Sequence, residues 1–393
     1  MQNDNTRAEK RSAWAEISLK NLAHNLNVIK SYVSSSQTKI MAVVKADAYG
    51  HGATEISRQA IESGAHGLGV SLVEEGVKLR RANISAPVYV LGETPPAATE
   101  DAVKYDLVLS INSYRMAKII SEKCSYLGKN AVVHINVDTG MNRVGINFKD
   151  AVTEIIKINS MTGLKIEGVF THFSCAHLED SSYTKSQWSR FRKIIKELKN
   201  SKVDIKTFHC ANSAATLRHK ETHLDMVRTG ISIYGLNPFG EDCCRWLSSE
   251  TTGILSSFKP VLSLKAKISF VKKIPAGQCI SYGCTFKTKR ESIIATLPVG
   301  YADGYSRLLS NKSRVLIGGQ FAPAVGNITM DQIMVDVTDI VGEKCISAEN
   351  EAILIGKSKG EKITVDSIAD LMGTINYEVT CMLKNRIPKI YIK

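Results

Sequence analysis

Up to about residue 240, eight short runs rich in β-branched and aliphatic residues alternate with helix-like segments, and this alternation narrows the fold more than any other feature. The runs are KIMAVVK, AHGLGVS, PVYVLG, DLVLSI, AVVHINVD, IEGVFTHF, IKTFHC and DMVRTGISIYG. Between them lie segments such as ATEISRQAIES, SLVEEGVKLRRAN and SQWSRFRKIIKELK. The last sets Trp188, Phe191, Ile195 and Leu198 on one helical stripe. Eight strands alternating with helices over this length is the count of a (β/α)8 barrel, with an open doubly wound sheet as the alternative. No GxGxxG opens a helix after the first strand, which counts against the open sheet.

From about residue 250 the texture changes to β-branched runs punctuated by Pro-Ala-Gly and Gly-Gly turns, as in VLSLKAKISFVKKIPAGQCISYG and RVLIGGQFAPAVGNITMDQIMVDV. These read as hairpins of a mainly β domain. The chain is therefore expected to divide into a barrel over residues 1–248 and a mainly β domain over residues 249–393. The strand-like run 12–19 is open to pairing with the second domain. A length of 393 residues also favours two domains, and 44% hydrophobic residues supply a substantial core.

The formal charge of +13 comes from lysines and arginines scattered along helical stretches such as KIIKELKNSK, without interleaved aromatics. That pattern suits attraction of anionic metabolites rather than nucleic acid. The opening MQNDNTRAEKRSAW has no apolar leader core and no run is long enough to span a bilayer, so a cytoplasmic protein without membrane contact is expected. Nine cysteines, among them adjacent Cys243 and Cys244 and isolated Cys175 and Cys210, show neither CxxC pairs nor zinc spacing. They read as reduced thiols, mostly in packing roles. His172 and His177 lack further ligands at regular spacing, so no metal is expected.

The stretch IMAVVKADAYGHG places Lys45 at the end of an apolar run. Taken singly, Lys45 reads as a solvated strand end, His172 as a core histidine, Tyr282 as a turn aromatic, and Arg143 and Arg228 as surface ion-pairing residues. A barrel, however, gathers its working residues at the carboxyl ends of its strands. Lys45 ends the first strand, Arg143 follows the fifth, His172 ends the sixth, Asn212 and Ser213 follow the seventh, and Arg228 lies in the eighth. Loops after strands seven and eight often bind phosphate, and here they read CANSAA and RTGIS, the latter with Gly230. A strand-end lysine opposite a phosphate site suggests a Schiff base with the aldehyde of pyridoxal 5′-phosphate.

The motifs AVVKADAYGHG, DTGMNRVG, HCANSAA, MVRTGISIYG, SYGCTF, VGYADGY, MDQ and INYEV, in this order, resemble alanine racemase, a pyridoxal-phosphate family, from about Trp14 to the C-terminus. The resemblance implies an isomerase that interconverts L- and D-alanine and, in a bacterium, supplies D-alanine for peptidoglycan. It makes Lys45 the Schiff-base lysine and Tyr282 the base on the opposite face. Tyr49, Ser213, Gly230, Ile231 and Tyr377 would hold the phosphate, Arg228 would face the pyridine nitrogen, and His172 would lie between Arg228 and Tyr282. Arg143 would hold the phenolic oxygen beside the substrate, Met330 would bind the substrate carboxylate with Asp331 next to it, and Tyr301 and Tyr377 would narrow the entrance. The family builds each site across a homodimer, with Tyr282, Tyr301, Met330 and Asp331 arriving from the second chain. Competing readings are a serine or broader-specificity racemase of the same fold and a non-catalytic pyridoxal-phosphate-binding protein. An amino-acid decarboxylase of similar plan is a further class, but its EPGR-like run and glycine-rich phosphate loop are absent.

These roles have independent physical content. An α-proton is too weakly acidic for a side-chain base unless the developing charge is delocalised. An arginine at the pyridine nitrogen does not surrender its proton, so the ring stays a weaker electron sink and the carbanion is short-lived. Racemisation needs a base on each face; a free tyrosine titrates near 10, so positive charge from His172 and Arg228 is expected to help Tyr282 act at neutral pH. Two departures stand out. Asn136 replaces a lysine whose carbamate braces the arginine in many members, and GNITMDQ carries Asn327 and Thr329 where arginine and cysteine are common. The first suggests a small anion, chloride by size and abundance, between Asn136 and Arg143, or a nearby carboxylate in that role.

Overall fold

In a computed structural model of the chain, the residues described are 10–33, 35–340, 346–348 and 350–393. Residues 1–9 of the opening stretch expected to lack a leader lie outside them, as does Cys345. Two compact units emerge: residues 22–48 and 53–258 form one, and residues up to Asn21, Tyr49–Gly52 and Lys259–Lys393 form the other.

The first unit is a nearly closed parallel barrel. After β1 (Ala13–Ser18) and α1 (Leu19–Tyr32), its strands and helices follow as β2 (Lys39–Val43), α2 (Ala53–Glu62), β3 (Gly67–Val70), α3 (Val73–Arg81), β4 (Val88–Val90), α4 (Thr99–Lys104), β5 (Val108–Ile111) and α5 (Tyr114–Leu127). They continue as β6 (Ala131–Asp138), α6 (Ala151–Asn159), β7 (Leu164–Phe170), α7 (Ser182–Lys199), β8 (Thr207–His209), α8 (Ser213–Arg218) and β9 (Met226–Thr229). The sheet runs β9-β2-β3-β4-β5-β6-β7-β8, parallel throughout. Asp225 N–H donates to Phe208 O at 3.2 Å and Arg228 N–H to Ala211 O at 2.9 Å, which bring β8 back to β9. Strands β3 and β4 are buried at every position, which is why they read as continuous apolar runs without alternation.

The outer helices are set by their apolar stripes and caps. Ser113 accepts from Met116 N–H at the start of α5, and Gly128, at φ 62°, ends it in the left-handed conformation that a Cβ disfavours. Along α7 the buried residues are Thr184, Gln187, Phe191, Ile194, Ile195 and Leu198. The expected stripe is thus right from Phe191 onward, but the place before Phe191 is taken by Gln187, and Trp188 lies half-buried beside it. A further helix, α9 (Ser249–Ser257), groups with the barrel: its buried Thr251 donates to Leu217 O at 3.1 Å.

The second unit is mainly β. Its strands are β10 (Leu262–Lys267), β11 (Phe270–Ile274), β12 (Cys279–Ile280), β13 (Phe286–Lys287), β14 (Ser292–Leu297), β15 (Arg314–Ile317), β16 (Gln320–Pro323), β17 (Ile333–Asp336), β18 (Glu351–Ser358), β19 (Glu361–Ile363) and β20 (Lys389–Ile392), with α10 (Val365–Met372) and α11 (Asn376–Cys381) before β20. The main sheet runs β16-β15-β18-β10-β1-β20, with β19 on β18, and β11-β14-β17 form a second sheet. Thus β1, whose alternate residues Ala13, Ala15 and Ile17 are buried, pairs antiparallel with β10 and parallel with β20. Among the described residues no helix is long and apolar enough to cross a membrane.

Candidate active site

Lys45 follows β2 at the carboxyl end of the barrel. Directly after it Ala46, Asp47, Ala48 and Tyr49 all have φ between 52° and 55°, a run of left-handed residues that costs free energy and persists only where surrounding contacts enforce it. Two of those contacts are local. Ala46 N–H donates to Glu75 Oε1 at 2.6 Å, and Asp47 Oδ1 accepts from Ala53 N–H at 2.9 Å. Glu75 also accepts from Ser71 and Leu72 N–H, tying the loop after β3 to the loop that carries Lys45.

Across the barrel end, Arg228 in β9 is buried and donates to His209 Nδ1 at 2.9 Å, His172 Nδ1 at 3.0 Å, Thr171 O at 2.8 Å and Cys210 O at 3.2 Å. A guanidinium only donates, so both Nδ1 atoms accept and both rings carry their proton on Nε2. His209 Nε2–H then donates to His134 Nδ1 at 2.8 Å, fixing the third ring in turn. Burial, reinforced by Arg228, pushes His172 and His209 well below the usual histidine range, and burial with Lys39 and Arg228 takes His134 down to about 3. Burial also lowers Arg228 to about 10, which leaves it charged at neutral pH. The expectation of positive charge on His172 is therefore overturned: it is a neutral Nε2–H donor, and Arg228 is the cation of the pair. Arg143 and Lys45 also act on His172, which places all four residues in one electrostatic neighbourhood.

A residue that the sequence reading passed over organises the loops here. Gln187, fully buried on α7, donates to His172 O at 3.0 Å and Thr139 Oγ1 at 3.3 Å and accepts from Ser174 N–H and Oγ. It thereby joins the segments after β6 and β7. Its signal was present: it lies four residues before Phe191, on the stripe that continues through Ile195 and Leu198.

At the end of β9, Ser213 Oγ accepts from Gly230 N–H at 2.9 Å and Ser232 Oγ–H at 3.1 Å, leaving its own proton to donate outward. Asn212 caps α8 by accepting from Ala215 N–H. Ile231 begins a short 3-10 turn whose Tyr234 donates to Val43 O in β2, linking this loop to the strand before Lys45. Thr229 Oγ1, buried beside them, has no hydrogen-bond partner among the described residues. This strand end has unused hydrogen-bonding capacity where a phosphate is expected from the sequence. Among the described residues, no three His, Cys, Asp or Glu side chains gather as a metal site.

In the second unit, Tyr282 sits in the loop between β12 and β13 and is 75% exposed. Ser281, Gly283 and Cys284 around it have φ of 64°, 72° and 49°. Asn327, one of the two departures in its motif, holds this loop: its Nδ2 donates to Tyr282 O at 2.8 Å and its carbonyl accepts from Ser281 Oγ at 2.6 Å. The reading of all cysteines as free thiols fails here, because Cys279 and Cys284 are joined by a disulfide that brackets Tyr282. The turn brings their Cα atoms to 4.9 Å, within bridging range, a proximity that spacing alone does not reveal. Tyr301 N–H donates to Thr329 O and Ala302 N–H to Met330 O, both at 3.0 Å, so Tyr301 and Met330 lie on paired loops. Gly300 permits this, since a Cβ there would lie 2.3 to 2.4 Å from the backbone of Thr329 and Met330. Asp331 pairs with Arg386 at 2.6 Å, and Arg386 also approaches the buried Asp303 at 3.4 Å. Tyr49 and Tyr377 face one another with ring centroids 6.1 Å apart, and burial pushes both hydroxyls upward.

Comparison with known proteins agrees with this layout in both units. The family described as alanine racemase, N-terminal domain, matches residues 17–238, and alanine racemase, C-terminal domain, matches residues 261–391. A protein of Clostridium novyi named alanine racemase is 46% identical over 98% of this chain and 96% of its own length. A solved alanine racemase of Clostridium difficile superimposes with a TM-score of 0.88 at 37% identity, covering 97% of this chain and 95% of that one. A histidine racemase of Leuconostoc mesenteroides does so with a TM-score of 0.86 at 28% identity, covering 98% of each. With both domain families matched and relatives aligned over nearly its whole length, the chain belongs to the alanine racemase family.

Proposed function

We propose that the chain interconverts L-alanine and D-alanine with pyridoxal 5′-phosphate held at the carboxyl end of the barrel. The observation that carries this reading is the gathering of Lys45, Arg143 and Arg228 around the neutral His172. Ser213 and the residues after β9 add hydrogen-bond donors at the same end. A set made of donors and cations suits a ligand bearing a phosphate and a phenolic oxygen. Lys45, Arg143, Ser213, Arg228, Gly230 and Ile231 would hold it, with His172 supporting Arg228 and the hydroxyls of Tyr49 and Tyr377 assigned to the phosphate. When bound, the cofactor supplies a conjugated system that spreads the charge left as the α-proton departs.

The chain's own residues would do the rest. Lys45 Nζ takes the α-proton from one face of the substrate carbon, and Tyr282 Oη gives a proton to the other; in the reverse direction the two exchange parts. Arg228, still protonated at neutral pH, keeps its protons and so leaves the ring nitrogen unprotonated. Met330 and Arg143 receive the substrate carboxylate with Asp331 alongside, and Tyr301 and Tyr377 limit the width of the entrance. We assign the site to a homodimer in which Tyr282, Tyr301, Met330 and Asp331 serve the neighbouring barrel. In a bacterial cytoplasm the D-alanine would feed peptidoglycan.

Chiral chromatography after incubation with a panel of L-amino acids should reveal D-alanine as the dominant product. Borohydride reduction and peptide mapping should leave the pyridoxyl group on Lys45; a label on another lysine overturns that assignment. Likeness to a histidine racemase favours broader specificity as the second reading. Faster racemisation of serine or histidine than of alanine in the same panel would establish it.

A further inference from the structure

Three consecutive barrel strand ends are joined by one hydrogen-bonded chain. Asn136 in β6 and Asn112 after β5 are buried, whereas Glu93 after β4 is exposed. Asn136 Nδ2 donates to Asn112 Oδ1 at 2.8 Å and reaches Val144 O at 3.4 Å, and Asn112 Nδ2 donates to Glu93 Oε2 at 2.5 Å. An ionised carboxylate only accepts, so the direction of the chain is fixed. Glu93 turns the NH2 of Asn112 toward itself, Asn112 turns its oxygen toward Asn136, and the NH2 of Asn136 is left facing Asn112 and Val144.

Val144 follows Arg143 in a tightly held segment. Asp138 Oδ1 accepts from Gly140 and Asn142 N–H, while Arg190 and Tyr183 of α7 donate to Thr139 O and Gly140 O. These contacts fix the segment's first half. Its second half rests on β6: Gly145 has φ 122°, and a Cβ there would lie 2.9 Å from Asp138 N and 3.3 Å from Asn136 Cγ. Arg143, between the two halves, is exposed, and no carboxylate pairs with it among the described residues.

We propose that Asn112 and Asn136, oriented by the carboxylate of Glu93, form a relay of amides that positions Arg143, by holding the carbonyl of Val144, in place of a charged group or a bound anion beside the guanidinium. This rests on the reading of Arg143 as a residue of the active site. An anion between Asn136 and Arg143 would need N–H groups from Asn136; these are directed at Asn112 and Val144, and the remaining amide oxygen would repel it. Glu93 and Asn112 are positioning residues, acting on the reaction only through the loop.

Amide hydrogen exchange of the full chain, with and without cofactor, tests the relay apart from activity. Asn112→Ala should speed exchange across residues 140–147 about tenfold, as expected for loss of one buried hydrogen bond, while β2 and β9 stay protected. Glu93→Ala, at an exposed position that leaves the core intact, should act in the same direction by about threefold. In the racemase assay Asn112→Ala should lower kcat, and adding Arg143→Ala to it should cost less than Arg143→Ala alone in the parent. Replacing chloride by gluconate should change nothing. Unaltered exchange at 140–147 in both variants, or anomalous density from bromide beside Arg143, overturns the relay. Full activity of Arg143→Ala overturns instead the reading of Arg143, and the exchange result then judges the relay by itself.

Discussion

One buried guanidinium decides the protonation of three rings. Arg228 cannot accept, so His172 and His209 must, and His134 follows because it accepts from His209. All three are neutral when folded and protonate near pH 6.5 when unfolded. Between the two values the unfolded chain binds more protons, so folding stability falls as pH drops below about 6.5 and continues falling toward the folded value of about 3 for His134. Each histidine should cost on the order of 1 kcal/mol per pH unit in that window. Urea midpoints should be clearly lower at pH 5.5 than at pH 7.5, and His134→Gln should make the dependence shallower. Equal midpoints at the two pH values would show that these rings are not neutral in the fold. The sequence disclosed Arg228 and His172 because both mark the same barrel end. It did not disclose His134 and His209: inside AVVHINVD and IKTFHC each reads as an isolated core histidine, and only the alignment of strands β6, β7 and β8 brings them together.

Elements were more legible than their contacts. Eight barrel strands are visible as apolar runs because most of their positions are buried, in β3 and β4 all of them, and the eventual helices show as polar segments with one apolar stripe. Hidden from any periodic reading is how closely neighbouring strands approach. Gly168 in β7 pairs with His134 in β6, and a Cβ at Gly168 would lie 2.5 Å from the His134 ring. That ring cannot swing aside without giving up its bond to His209. Gly168→Ala should therefore destabilise the barrel by about 1–3 kcal/mol, the usual cost of overpacking, although alanine suits a strand better than glycine. Thermal unfolding of the variant checks this, and an unchanged or raised Tm would mean that the three-ring chain is free to shift. The disulfide around Tyr282 was hidden for a related reason: a six-residue span contains no signal that its ends turn back until Ser281 and Gly283, both with positive φ, are placed between them.

For the molecule as a whole, the second unit presents a problem that the proposed dimer resolves. Tyr282, Met330 and Tyr301 are 75%, 53% and 39% exposed in the single chain, although their loops are locked by Asn327, by Gly300 and by backbone pairing. Side chains held rigidly yet left in water are suited to burial against another surface, where pre-ordering lowers the cost of association. If they serve the barrel of a second chain, Lys45→Ala and Tyr282→Phe each disable both sites of their own homodimer. Their mixed dimer has one site lacking both residues and one site with both intact. After subunit exchange of the two inactive proteins at equal concentration, random pairing makes half the dimers mixed, so recovery should approach about a quarter of the parent activity. Recovery should fall when cross-linking precedes mixing. Native mass spectrometry reports exchange independently, and demonstrated exchange without any return of activity would place the two bases within one chain.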